Sequence, residues 1–335
     1  MAGNYPIGPL IMQTFSTAAV PRWRFVGALA IVYVVWGTTY YALGVAMRTL
    51  PPVLMNGVRF LVAGAVMLMW AQWRGQAWPT RREWWGCALI GTLMAFAAMA
   101  LVVLAQRLGI GSGLMATVVT TMPMWLALWT RLGGERVPAT SWAGLVLGAA
   151  GAALLALEGD FGATPLGALC AFAAPLCWSL GSYASRRVAL PAPAMAAGAQ
   201  WLIGGAVGLA VAWSVEPGAR TVDVSAVSAA SWWAWGYLVV MGTLVTLNCY
   251  LWLLQHTSVA LAGSYSFVNP LVALAVGVGL GGERLTGWVF VAMPLILAGL
   301  ALIAYGPALL AWGRRGWLPV RGRLQPAGAS GSSAP

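Results

Sequence analysis

Ten apolar runs, each about twenty residues long, follow one another with short gaps. They span roughly 24–46, 52–73, 84–105, 111–131, 138–157, 165–184, 194–214, 232–254, 259–279 and 287–310. At 1.5 Å rise per residue, about twenty residues cross a hydrocarbon layer of roughly 30 Å. In lipid a backbone must satisfy its own hydrogen bonds, and a helix does so within one segment. The pattern therefore predicts an all-α integral membrane protein of ten transmembrane helices. Only the connection around Val215–Ser231 is long and polar enough to be a real loop. Residues 1–21 and 313–335 lack the periodicity of the rest, and the QPAGASGSSAP ending reads as a disordered tail.

Composition supports this class and removes others. The chain is 61% hydrophobic and 7% charged, against about 25% charged residues in soluble domains. Its net charge of +11 comes from arginines scattered through the gaps, so no nucleic-acid patch forms. There is no lysine, which excludes a P-loop and a Schiff-base lysine. The four cysteines lie inside apolar runs without a Cys-x-x-Cys pair, and one histidine is too few for a metal cluster. No cofactor is expected. The first arginine is Arg22, so no basic region precedes an apolar core, and a cleaved signal peptide is not expected.

Arginine placement sets an orientation. With the N-terminus inside, ten spans place 13 arginines in inside segments and 4 (Arg48, Arg107, Arg220, Arg284) outside, with Arg59 within span two. That bias predicts a multi-pass membrane protein with cytoplasmic N- and C-termini. Tryptophans gather at span ends, as at Trp70, Trp73, Trp78, Trp84 and Trp85, where headgroup-level belts hold such rings.

The string LGGER stands at Leu132–Arg136 and again at Leu280–Arg284. The copies follow spans four and nine, a shift of five. An odd shift reverses the chain's direction through the bilayer. Other features recur with it: Trp36-Gly37 with Trp178 and Gly181, Leu104-Ala105-Gln106 with Leu253-Leu254-Gln255, and Pro123 with Pro270. Two inverted five-helix halves suit alternating access, because exchanging their conformations turns an inward-open carrier outward-open. The predicted division is 1–21 as a cytoplasmic segment, 22–158 and 159–310 as the two repeats, and 311–335 as a basic cytoplasmic tail. LGGER itself reads either as a helix stop with a charged pair at a membrane boundary or as a gating or interhelix pair.

With these residues in view, the chain resembles the EamA branch of the drug/metabolite transporter superfamily. The carrying stretches are Val35-Trp36-Gly37-Thr38-Thr39-Tyr40, Asn56-Gly57-Val58-Arg59-Phe60, the runs from Pro123 and Pro270 into LGGER, and Pro175-Leu176-Cys177-Trp178. The resemblance covers about residues 25–308 and implies two five-span repeats carrying small solutes, often by export of metabolites, amino acids or toxic compounds.

Candidate site residues follow from the cost of polar groups in lipid. Arg59 lies about eight residues into span two, where a charge costs about 2.5–3.5 kcal/mol on insertion scales. It either binds an anionic substrate group or gate, or is a structural charge bonded to backbone. Asn56 lies one turn earlier on the same face and either lines a polar stripe or bonds a neighbouring helix. Trp36, Thr39 and Tyr40 in span one match Trp178, Ser182 and Tyr183 in span six, as cavity lining or as packing. Asn248, Tyr265 and Asn269 are further polar candidates for the cavity. Pro123 and Pro270 free backbone carbonyls and make kinks that are hinges or static bends. Gly144 and Gly148 allow close helix approach, within the chain rather than in a dimer. No Asp lies inside a span and the histidine, His256, sits at a span end. That leaves little for general acid–base work, so an enzyme is not expected. The expected partners are a small-molecule substrate and the lipid bilayer, with no nucleic acid. A homo-oligomer is compatible with this reading, although one chain suffices.

Overall fold

The computed structural model describes residues 21–135, 137, 139–155, 164–256, 265–283 and 287–316. Residues 1–20 of the expected N-terminal segment, 317–335 of the tail, Arg136, Glu158 and Arg284 lie outside the described residues. Among the described residues the chain is helical throughout, with no strand.

The helices are α1 (Arg22–Ala46), α2 (Pro52–Trp73), α3 (Arg81–Arg107), α4 (Ser112–Leu132), α5 (Ala139–Leu155), α6 (Pro165–Ser185), α7 (Pro193–Val215), α8 (Ala229–Tyr237 continued by Leu238–Val245 and Thr246–His256), α9 (Tyr265–Gly279) and α10 (Gly287–Gly316). Seven are long and apolar enough to cross a membrane: α1 to α4 and α6 to α8. The other three expected spans fall on α5, of 17 residues, and on α9 and α10, whose apolar stretches Val268–Gly279 and Gly287–Ile303 are shorter. The chain is thus a multi-pass membrane protein. Large apolar side chains face outward, among them Trp73 at 80% and Trp233 at 81% exposure, a distribution that lipid accommodates and water does not.

Local chemistry explains the element ends. Pro52, Pro165 and Pro193 open α2, α6 and α7 in the first turn, where the missing N–H is harmless. Thr80 and Glu83 form a capping box on α3. The Glu216 carboxylate accepts from the N–H groups of Val53 at 2.9 Å and Leu54 at 2.8 Å, capping α2 from the far end of α7. The second glycine of each LGGER takes a left-handed conformation, φ 86° at Gly134 and 66° at Gly282, so the expected helix stop is present in both copies.

The tertiary contacts repeat under exchange of each helix for the one five places later. Helix α2 packs on its counterpart α7, α5 on α10, and α4 on α9. Likewise α1 packs on α8 and α9, as α6 packs on α3 and α4. At α2–α7 the backbones meet directly, since a Cβ on Gly205 would stand 2.5 Å from the Leu61 nitrogen. Gly144 and Gly299 face each other across α5–α10, each with a virtual Cβ 2.5–2.6 Å from the other's carbonyl oxygen. The Gly-x-x-x-Gly of α5 therefore serves packing within the chain.

Two interruptions were not legible as such. Within α3, Gly91–Ala98 is π-helical, and within α8, Leu238–Val245 is too. Each is eight residues long and they occupy corresponding places in the two repeats. Wider turns of this kind mark functional positions in many helices. A third break lies in α4, where Thr120 and Thr121 form a turn between Ser112–Val119 and Met122–Leu132. Pro123 starts the second piece, and the hydroxyls of Thr120 and Thr121 donate to the carbonyls of Thr117 at 2.6 Å and Val118 at 2.7 Å. Pro270 lies inside α9.

Candidate functional site

Arg59 is buried, at 5% exposure. Its Nε donates to Thr243 Oγ1 at 2.9 Å, and Nη1 donates to Asn56 Oδ1 at 3.4 Å. The Thr243 hydroxyl in turn donates to the Leu238 carbonyl at 2.8 Å, five residues back along the π-helical turn. Among the described residues no carboxylate pairs with Arg59. Asn56 is also buried, and its Nδ2 has no hydrogen-bond partner. A void of about 10 Å³ beside Asn56, bordered by Gly57, Ala95 and Gly204, has room for about one water molecule. The site thus holds a buried positive charge and a spare donor without a compensating anion, an expensive combination in a low-dielectric setting.

The α8 segment carries this site into α1. Trp36 donates its indole N–H to the Gly242 carbonyl at 3.2 Å, next to Thr243. Gly242 also faces Thr39, whose hydroxyl donates to the Trp36 carbonyl at 2.6 Å. Thr38 and Tyr237 share a hydroxyl–hydroxyl bond of 2.5 Å. The Trp36 ring lies 4.7 Å from Tyr265 and 5.3 Å from Tyr250, and those two tyrosines are 5.6 Å apart at nearly right angles. Edge-to-face rings of this kind satisfy one another's quadrupoles. In the orientation its partners require, the Asn269 amide donates to the carbonyls of Tyr265 and Tyr33, both at 3.2 Å, which ties α9 to α1.

The other sequence candidates are placed differently. Asn248 donates to the Leu244 carbonyl of its own helix at 2.7 Å. Tyr40 packs against the main core, and its carbonyl accepts from Gln106 at 3.0 Å. Trp178, Ser182 and Tyr183 form a second group on α6: Ser182 donates to the Trp178 carbonyl at 3.0 Å. Neighbouring Ser179 accepts the Trp129 indole N–H at 2.9 Å. Tyr183 lies under the Arg187 guanidinium, 3.6 Å from its ring centre, and Arg187 pairs with Glu135. The structure therefore gathers Trp36, Thr39, Asn56, Arg59, Tyr265 and Asn269 along α1, α2, α8 and α9. It sets the α6 group apart, against α4. His256 is exposed and stacks on Trp252 at 4.4 Å.

Sequence reasoning missed Thr243, Gly242 and Tyr237. A signal was present: Gly-Thr-Leu occurs at Gly91-Thr92-Leu93 and again at Gly242-Thr243-Leu244, inside the two π-helical turns. It also missed a cavity of about 250 Å³, lined by Tyr41, Arg48, Gln106, Ser112 and Glu283 among others. That cavity lies between α1, α3 and α4 of the first half and the α9–α10 turn of the second.

Comparison with known proteins bears on this geometry. The profile described as "EamA-like transporter family" matches twice, over residues 23–157 and 165–305. The chain belongs to the EamA-like transporter family. The transporter is 34% identical over 283 residues to "Uncharacterized inner membrane transporter YedA" of Escherichia coli (strain K12), covering 84% of this chain and 91% of that one. It is 25% identical over 295 residues to "Probable amino-acid metabolite efflux pump" of Salmonella typhimurium, covering 84% and 95%. A solved structure described as "Crystal structure of protein" superposes with a TM-score of 0.58 at 23% identity, covering 85% of this chain and 99% of that chain. That last likeness shows a shared fold.

Proposed function

We propose that this membrane transporter is a secondary carrier that exports small organic solutes across the bacterial inner membrane by alternating access. The observation that carries the reading is the exchange pattern of helix contacts, in which α2 meets α7, α4 meets α9 and α5 meets α10. Halves that pack on their own counterparts can trade conformations at little net cost, and an inverted pair of that kind exposes a shared site alternately on the two sides. Arg59 and Asn56 supply donors for an anionic group of the solute, and the Trp36, Tyr250 and Tyr265 rings supply an apolar and cation-tolerant face. The efflux activity in the name of the Salmonella relative supports the direction. The arginine bias supports an orientation with both termini in the cytoplasm. Membership in a transporter family and the exposed, stacked position of His256 weigh against an enzyme.

The test is counterflow in proteoliposomes loaded with a mixture of amino acids, cationic drugs and small metabolites, with retention followed by mass spectrometry. Selective loss of a few compounds is expected. Chemical conversion with no loss of total material would replace the carrier by an enzyme. Binding without flux in folded protein would replace it by a receptor or scaffold.

A further inference from the structure

Among the described residues the two LGGER copies share a turn but not a partner. Glu135 reaches Arg187 in an ion pair whose side chains are 52% and 38% exposed, an arrangement that water and salt weaken. Glu283 is held quite differently. Its carboxylate accepts from the Ser112 N–H at 2.6 Å, the Ser112 hydroxyl at 2.5 Å and the Gly113 N–H at 3.0 Å. Those donors form the N-terminus of α4, where the helix dipole favours an anion. The carboxylate fits because two glycines clear its path: a Cβ at Gly277 would stand 2.5 Å from Oε2, and one at Gly111 3.0 Å. Beside it the Tyr41 hydroxyl donates to the Leu280 carbonyl at 3.2 Å. This joint links α1 and α4 of the first half to the α9–α10 turn of the second, and it walls the cavity of about 250 Å³ at the same end of the molecule.

We propose that the Glu283 carboxylate is a gate clasp, closing the path between the two halves at the end that arginine placement assigns to the outside, and that transport requires it to release α4. The proposal rests on the carrier reading and adds a gating residue to it. An inverted pair cannot hold both ends closed in the same way when one end is open. Among the described residues the sequence-identical glutamates have unlike partners, the mark of one such asymmetric state. The clasp is also well suited to release, because the Ser112 donors border a cavity of about 250 Å³ whose water can replace the carboxylate as their acceptor.

The test uses full-length protein with Cys87, Cys170, Cys177 and Cys249 replaced by serine and spin labels at Arg107→Cys and Leu280→Cys, which flank the joint. Distances are read by pulsed electron paramagnetic resonance. Protein with the clasp intact should give one short distribution. Glu283→Gln removes the charge and sets an amide N–H against the Gly113 N–H. Gly277→Ala leaves the charge but drives the carboxylate out, and alanine suits a helix interior better than glycine. Both variants should convert the majority of molecules to a longer distance while eluting as monodisperse protein. An unchanged distribution in either variant overturns the proposal. The distances need no solute, so they stand or fall apart from the carrier reading. A shift in distance without any counterflow would sink the carrier alone.

Discussion

Replacing Arg59 by methionine separates a structural charge from a working one. The side chain is 5% exposed and makes one good charged hydrogen bond, to Thr243 at 2.9 Å, with the Asn56 contact long at 3.4 Å. A hydrogen bond to a charged group contributes about 1.5–3 kcal/mol. Keeping an arginine at mid-depth costs about 2.5–3.5 kcal/mol on insertion scales. The two nearly cancel, so Arg59→Met should change folding stability by less than about 2 kcal/mol in either direction. Methionine keeps much of the volume, and the freed Thr243 hydroxyl keeps its bond to Leu238. The expectation is therefore a folded, monodisperse protein whose thermal midpoint in detergent moves by a few degrees, with counterflow reduced at least tenfold. Fluorescence-detected size exclusion and a thermal ramp read the first, proteoliposome flux the second. Collapse of the folded protein would show that Arg59 is held for structure. Undiminished flux would remove it from the transport path.

Other expectations follow from single contacts. Trp36→Phe keeps a ring against Tyr250 and Tyr265 but loses the bond to Gly242. It should cost about 0.5–1.5 kcal/mol of stability, whereas Trp36→Ala should cost about 3–5 kcal/mol, and a thermal ramp that fails to rank them refutes the contact. Gly205→Ala places a methyl 2.5 Å from the Leu61 nitrogen and should destabilise by about 1–3 kcal/mol, read as early aggregation on heating. Glu216→Ala removes the acceptor for Val53 and Leu54 and should cost about 0.5–2 kcal/mol, as lost helix caps do. Glu135→Gln breaks only an exposed pair and should change stability by less than about 1 kcal/mol.

Much of this protein was legible in its sequence because lipid permits so few solutions. Runs of about twenty apolar residues have to be helices, and the described helices begin and end within a few residues of those runs. The doubled LGGER, the prolines and Trp36-Gly37 carried the five-span shift, and the contact pattern follows the same exchange. Span length was harder to read. The sequence predicts ten crossings; among the described residues seven helices have the length and composition to cross, and the other three runs fall on shorter apolar helices.

What the sequence could not decide is which polar groups meet. Asn56 and Arg59 share a helix face by spacing, but their third member, Thr243, is 184 positions from Arg59 and is brought in by a π-helical turn. A wider turn shifts every later side chain around the helix axis, and 3.6-residue periodicity does not anticipate it. Likewise Glu135 and Glu283 stand in identical strings, yet one ends in an exposed ion pair and the other caps α4. Identical local sequence fixes the turn, through the glycine that adopts positive φ. The partner depends on which helix end each turn meets in the folded chain, and only tertiary structure decides that.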